Sequence, residues 1–256
     1  MLGAIIGDII GSRFEFRNTR NYKFELFNQE CSYTDDTVCT LAIADAILTG
    51  TSYKDKLIQW CQSYPVVMGG YGASFNAWIR SKDHKPYYSF GNGSAMRVSP
   101  VAWAFDRLED VKAEAEKTAI VTHDHPEGIK GAVAVAHAIW HFRFNKSVKD
   151  FIEAMNEYYP GFMDEDYPVG KFDETCQGTV PYCLQTIAWA NSFEDAIRTA
   201  IAHGGDSDTI GAIVGSIAEA RWGIPPYFHR IEPFLTLPMK IIIHNFVSTY
   251  IHPAKG

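Results

Sequence analysis

The feature that most constrains this 256-residue chain is the spacing of its apolar residues. Across residues 3–12, 36–49, 53–63, 95–106, 109–122, 128–142, 147–157, 174–190, 193–203, 207–222 and 239–250 they recur at steps of three and four, which gathers them on one face of a helix. The alternation that would mark a half-buried strand is almost nowhere. Such a chain is expected to be all-α, a compact orthogonal helical bundle whose helices bury their apolar stripes against one another. With 46% hydrophobic residues and no linker-like stretch or shift of composition, it reads as a single domain, residues 1–256. The main exception is Asn18 to Tyr33, an irregular aromatic and charged connection expected to be a mobile loop that gates a site.

In the first helix Gly3, Gly7 and Gly11 stand four apart on one face, although each glycine costs about 1 kcal/mol of helix propensity relative to alanine. Bare backbone there is expected to let a second helix approach closely. Asp8, beside that face, reads as a satisfied buried polar group and not as a catalyst.

Lys and Arg number 23 against 30 Asp and Glu, a net charge of -7, and the basic residues are scattered. That distribution lacks the basic stripe of a nucleic-acid-binding surface, so a polyanionic ligand would have to be held locally, by metals or helix ends. The five cysteines (Cys31, Cys39, Cys61, Cys176 and Cys183) include no CxxC spacing and suit neither a disulfide framework nor a zinc site, so a reducing cytoplasm fits best. The opening MLGAIIGDIIGS has no basic region and carries Asp8 in its middle, unlike a signal peptide, and no apolar run approaches membrane-spanning length. A monomer without a membrane partner is the default expectation.

Two segments are packed with side-chain oxygens where a helix should begin: Thr34-Asp35-Asp36-Thr37 and Gly204-Gly205-Asp206-Ser207-Asp208-Thr209. Taken singly, either is accounted for by N-capping, which contributes about 1 kcal/mol, and by acids complementing the helix dipole. A cap needs only one oxygen, however, and clustered carboxylates repel unless a cation neutralises them. Because every candidate donor is a hard oxygen, magnesium or manganese is favoured over zinc or copper.

Other motifs are weaker. Gly91-Asn92-Gly93-Ser94 is a glycine-rich turn feeding a helix, able to present N–H groups to an anion, but it lacks a P-loop lysine and follows no strand. Arg97 is either part of that cradle or a structural ion-pair partner. His123 and His125 suggest a base or a metal pair, yet Pro126 should break any helix through them and most such histidines are structural. His203 reads as a helix C-terminal residue. Phe14, Phe16, Tyr71, Phe75, Trp78 and Phe90 could include a stacking platform, though most should be core. The acids of the Phe172 to Pro181 segment read as caps or solvated groups, with a lining role open for Phe172 or Asp173.

In order along the chain, GAIxGDxxGSxxE (Gly3–Glu15), TDDT (Thr34–Thr37), GNGSAMRVSPVA (Gly91–Ala102), THxHPEGIKGA (Thr122–Ala132) and GGDSDTIGAIxGxIAEA (Gly204–Ala220) resemble the ADP-ribosylglycohydrolase family, which includes dinitrogenase-reductase-activating glycohydrolase and the ADP-ribosylarginine and ADP-ribosylserine hydrolases. The set of five is far more specific than any one of them. The resemblance implies an all-α fold with two magnesium ions, manganese being a possible substitute, held by Thr34, Asp35, Asp36, Asp206, Asp208 and Thr209. It further implies that Glu15 lies near the metals, that Gly93, Ser94 and Met96 in the Gly91–Asn92 turn cradle the pyrophosphate and adjacent ribose, and that His123 contacts ADP-ribose. The implied substrate is the ADP-ribose moiety of a modified protein or small molecule. The ions would bind the ribose 2- and 3-hydroxyls and orient a water toward an oxocarbenium-like transition state, with Asp36 or Glu15 as base. The leaving group, which could be arginine, serine, a nucleobase, acetyl or phosphate, is open. A magnesium phosphohydrolase acting on a phosphorylated ADP-ribose would share the acidic site. A non-catalytic relative of the lens-crystallin kind would be expected to have lost the metal positions that are intact here.

Overall fold

Thirteen α-helices form among the residues that the structure, a computed structural model, describes (1–251), and no strand accompanies them apart from a single bridge between Gly91 and Thr175. In order they are α1 (Leu2–Gly11), α2 (Asp35–Thr49), α3 (Tyr53–Ser63), α4 (Ala73–Arg80), α5 (Gly93–Met96), α6 (Ser99–Ala104) and α7 (Leu108–Ala119). There follow α8 (Pro126–Phe144), α9 (Val148–Asn156), α10 (Cys176–Trp189), α11 (Phe193–His203), α12 (Ser207–Trp222) and α13 (Leu237–Phe246). The all-α expectation is met, and α3, α11 and α12 coincide with their predicted spans. No helix among the described residues is long and apolar enough to cross a membrane.

Where prediction and structure differ, local chemistry accounts for it. The span 95–106 is two short helices, broken at Arg97–Val98, because Pro100 sits in the first turn of α6 and has no N–H with which to continue the preceding helix. Pro126, expected to break a helix, opens one: at the first position of α8 its missing N–H has no partner to lose. His125 caps that helix, its Nδ1 accepting from the Glu127 amide at 3.0 Å. Helix α4 was not predicted, since eight residues are too few to establish a period.

Helix α12 is central. Fourteen of its sixteen residues are buried, the polar Asp208, Ser216 and Glu219 among them, and α1, α8, α10 and α11 pack about it. Its closest neighbour is α1, and the pairing is antiparallel: Gly3 lies against Gly215, Gly7 against Gly211 and Gly11 against Ser207. A Cβ added at Gly7 would fall inside the Gly211 carbonyl, so the two backbones touch directly. The glycine spacing thus has the packing role read from it, and it brings the C-terminal end of α1 to the N-terminal end of α12.

The Asn18 to Tyr33 connection is not a free loop. Asn18 exchanges hydrogen bonds with the Gly205 backbone in both directions at 2.9 Å, Tyr22 donates to Asp195 at 2.7 Å, and Arg198 donates to the Phe24 carbonyl at 2.7 Å. Phe24 and Cys31 are buried in the core. These tethers hold the segment to the turn before α12 and to α11, and they remove the basis for reading it as a gate.

Candidate active site

The two oxygen-rich segments meet where α1, α2 and α12 converge. At α2 the cap is the Thr34 hydroxyl, whose oxygen accepts from the Asp36 amide at 3.2 Å and whose hydrogen goes to Asp8 at 2.8 Å. At α12 Asp206 occupies the N-cap position but makes no capping bond; its carboxylate accepts from Asn92 Nδ2 at 2.6 Å. Gly204 and Gly205, at φ +78° and +92°, form the left-handed turn that points Asp206 this way, a backbone that residues with a Cβ rarely adopt. Capping therefore leaves the carboxylates of Asp35, Asp36, Asp206 and Asp208 unexplained.

Asp8, Asp36 and Asp208 bring carboxylate oxygens within 4.8 Å of one another, and Glu15, Asp206 and Asp208 do the same. Asp208 belongs to both groups, and every donor is a hard oxygen. Asp36 Oδ1 and Asp208 Oδ1 are buried with no hydrogen-bond partner, a costly state for a carboxylate. Asp8 is satisfied, as read from the sequence: its oxygens accept from the amides and hydroxyls of both Thr34 and Thr37. Its partners come from α2, so Asp8 ties α1 to the entrance of α2. Glu15 follows a 3-10 turn, Ser12–Phe14, and its carboxylate lies against Gly69, where a side chain would displace it.

The electrostatics match this crowding. Burial, and then the charge of Asp208, push the Asp8 carboxyl up to about 7 and that of Glu15 up to about 8. Asp36 and Asp206 are raised well above the usual carboxylate range by the same two causes, and Asp35 by burial, Cys39 and Asp208. Such a cluster of hard oxygens could hold a metal ion.

Beside the cluster lies a cleft of about 420 Å³, within the range of small-molecule sites. Among the expected residues, Glu15, Asp35, Asp36, Asp206, Asp208 and Thr209 line one part of it, and Gly91, Asn92, Gly93, Met96 and His123 another. Thr209 Oγ1 is 3.3 Å from Asp36 Oδ2 and links the two helix entrances directly. Thr34 lies wholly buried beneath. Ser94 is buried too, its hydroxyl donating to the Gly128 carbonyl at 2.7 Å, so only its backbone could serve a ligand.

Of the aromatics, Phe16, Tyr71 and Phe75 reach the cleft, Trp78 packs behind, and Phe90 lies edge-on to His125. Exposed Phe16 stacks on Phe172 with ring centroids 5.9 Å apart. In the Phe172 to Pro181 segment the lining residue is Glu174, while Asp173 binds the amide and hydroxyl of Thr175. His203 ends α11, as expected, and stacks on Tyr182. Sequence reasoning named Tyr71 and Phe75 as possible stacking residues but missed the rest of the wall from Gly69 to Phe75, and with it Tyr87 and Ser89; the GGYG run at Gly69–Gly72 was the available signal. Arg97 is corrected: it lines the cleft and faces no carboxylate, its Nη2 donating instead to the Thr118 carbonyl and to Thr122 Oγ1, each at 2.9 Å.

Comparison with known proteins follows the same lines. The family model for ADP-ribosylglycohydrolase matches residues 1–230. The chain is 26% identical to the ADP-ribosyl-[dinitrogen reductase] glycohydrolase of Rhodospirillum rubrum, over 87% of this chain and 84% of that one. It is 24% identical to the ADP-ribosylhydrolase ARH3 of Danio rerio, over 88% and 82%. A solved structure titled ADP-ribosylglycohydrolase-related protein complex shares the fold, with a TM-score of 0.77, 21% identity and coverage of 98% of this chain and 96% of that one.

Proposed function

The chain belongs to the ADP-ribosylglycohydrolase family and is a hydrolase of ADP-ribose linkages; from that premise we propose that it is a magnesium-dependent enzyme that removes ADP-ribose from a modified protein side chain. The observation that carries the metal is that Asp36 and Asp208, at two helix entrances, each keep one buried oxygen (Oδ1) without a hydrogen-bond partner and bring a carboxylate oxygen within 4.8 Å of each other. The donor set fits two ions, with Asp208 in both groups; Thr34, Asp35, Asp36, Asp206, Asp208 and Thr209 would hold them, and manganese is the natural substitute. Bound there, the ions would supply Lewis acidity toward the hydroxyls of the ribose that carries the leaving group.

The chain's own residues do the rest. The Gly91–Asn92–Gly93 turn, Met96 and His123 form the part of the cleft that would bind the remainder of ADP-ribose. Asn92 fixes the Asp206 carboxylate and so connects the two parts. Glu15 is the carboxylate we assign as general base. It is half-buried on the cleft wall, whereas Asp36 is deeply buried and close to the hydroxyls of Thr34 and Thr209. Water attacks the anomeric carbon, its proton passes to Glu15, which acts in its ionised form, the bond to the leaving group breaks, and the departing oxygen or nitrogen takes up a proton from solvent, giving free ADP-ribose and the unmodified side chain. Glu15→Gln is expected to lower the rate by about 100-fold or more with ADP-ribose affinity nearly unchanged. A normal rate in Glu15→Gln, with a rate loss in Asp36→Asn at unchanged metal affinity, would transfer the base to Asp36.

The raised carboxyls also set a pH dependence. Unfolded, these acids ionise near 4; folded, Asp8 does so near 7 and Glu15 near 8. Groups raised on folding contribute stability that is complete below pH 4 and lost as pH rises through their folded values. The metal-free protein is therefore expected to lose thermal stability between about pH 4 and pH 8, and added magnesium to restore most at the upper end. Melting curves with EDTA and with magnesium check this; equal curves across the range would reject the cation site.

The function is tested with arginine- and serine-ADP-ribosylated proteins, ADP-ribosylated nucleic acid and O-acetyl-ADP-ribose, each with and without magnesium. Release of free ADP-ribose from one protein substrate, abolished by EDTA, is expected. Turnover of the small molecule alone would move the assignment away from protein substrates.

A further inference from the structure

We propose that Thr122 and Arg97 are positioning residues that fix His123 in the Nε2–H tautomer, so that a neutral imidazole donates a hydrogen bond to an oxygen of the ligand lying on the Gly91–Gly93 turn. The role given to that ligand rests on the function proposed above; the tautomer itself does not.

The chain of donors dictates the outcome. Arg97 Nη2 is 2.9 Å from Thr122 Oγ1, and Thr122 Oγ1 is 2.7 Å from His123 Nδ1. A guanidinium has only donors, so in the first contact Thr122 accepts. Its single hydroxyl hydrogen has no acceptor other than His123 Nδ1 among the hydrogen bonds of the described residues, so it is assigned to that contact, in which His123 Nδ1 accepts. A neutral imidazole whose Nδ1 accepts carries its proton on Nε2. That nitrogen faces the turn, 3.2 Å from the position a Cβ on Gly93 would take and 3.4 Å from that on Gly91. Glycine at both positions leaves the edge of the ring open to the cleft that His123 lines.

Arg97, Thr122 and His123 are all buried, so the arrangement is not averaged by solvent. The groups that face the ring are Arg97 and Tyr87, whose ring centroid is 6.1 Å away; the chain neighbours Asp124 and His125 are engaged by the Tyr88 and Glu127 amides. Burial first, and the Arg97 charge second, hold the imidazole well below its usual range, so it stays neutral through physiological pH. This also gives a reason for a buried arginine without a carboxylate: an acid at Arg97 would offset the charge that keeps His123 neutral.

The test is nitrogen-15 NMR of the histidine-labelled, full-length protein, with His123 assigned by its absence in His123→Asn. The wild type is expected to show one Nε2–H tautomer that does not titrate between pH 5.5 and 8. Thr122→Val is expected to show both tautomers and to bind ADP-ribose about 10-fold more weakly by calorimetry, and Thr122→Ser to restore both. An Nδ1–H tautomer, or a protonation midpoint near 6.5, in the wild type would overturn the proposal whatever the Thr122 variants show. Normal ADP-ribose affinity in a folded Thr122→Val protein that shows mixed tautomers would overturn the link to the ligand. A fixed tautomer in a wild type that binds no ADP-ribose would uphold the positioning and sink the functional reading instead.

Discussion

Replacing Asp208 with asparagine is expected to stabilise the metal-free protein while nearly abolishing its activity. Asp208 is common to both carboxylate groups, and its charge helps raise five neighbours: Asp8, Glu15, Asp35, Asp36 and Asp206. Asparagine keeps the shape, removes that charge and offers two N–H donors to the surrounding carboxyl groups. Relief of repulsion should be worth about 1–2 kcal/mol, a rise of a few degrees in Tm at neutral pH for a chain of this size. The same change takes one anionic ligand from both ion positions. Magnesium affinity should fall about 10- to 100-fold or more, and hydrolysis on the order of 100-fold or more. The two effects have opposite signs, which a merely structural aspartate would not give. A lower Tm in EDTA together with unchanged magnesium affinity would show that Asp208 is a structural acid and no ligand.

The second large effect is expected far from any charge. In Gly7→Ala the added methyl must occupy space already held by the Gly211 carbonyl, so α1 and α12 have to separate. Overpacking of this kind typically costs 1–3 kcal/mol, and because the contact is backbone on backbone no rotamer can relieve it, so about 3 kcal/mol or more is expected. Gly50→Ala is the matched control. Gly50 has φ +65° and nothing within 4 Å of its missing Cβ, so only the left-handed backbone is penalised, by about 1–2 kcal/mol. Gly7→Ala should also weaken magnesium binding, because Asp8 and the Asp206–Asp208 entrance lie on the two helices being pushed apart. Equal destabilisation of the two variants, or a Gly7→Ala protein with wild-type metal affinity, would show that the α1–α12 contact does not set the geometry of the site.

Much of this was legible beforehand. Residues 53–63, 193–203 and 207–222 could be read as helices to the residue because their apolar stripes are long and their starts carry Ser52, Ser192 or the acidic cluster. The excess of acid at Thr34–Asp36 and Asp206–Asp208 stood out against the one oxygen that a cap needs; in the structure Thr34 makes its cap bond and Asp206 makes none. What was not legible depended on contacts between distant segments. The wall from Gly69 to Phe75, marked in the sequence only by its aromatics Tyr71 and Phe75, gains its role because the fold lines the cleft with it and sets Gly69 against the Glu15 carboxylate. Ser94 stands in the glycine-rich turn that the sequence offers as an anion cradle, yet the approach of α8 engages its hydroxyl. Arg97 could not be assigned until its neighbours proved to be Thr118 and Thr122 and not an acid.

The sequence alone determined the helices, the bare faces of α1 and α12 and the surplus of oxygen at two helix entrances, because each is governed by residues a few positions apart, through i to i+4 hydrogen bonds, capping and the period of burial. Only the tertiary structure decided that Asp36 and Asp208 share one cleft, that Asp8 is satisfied from α2, and that the tether of Asn18 to Gly205 holds the α12 entrance in place. Those facts rest on the antiparallel seating of two glycine-faced helices, and the direction in which a side chain finally points is set by the packing around it, which no local pattern encodes.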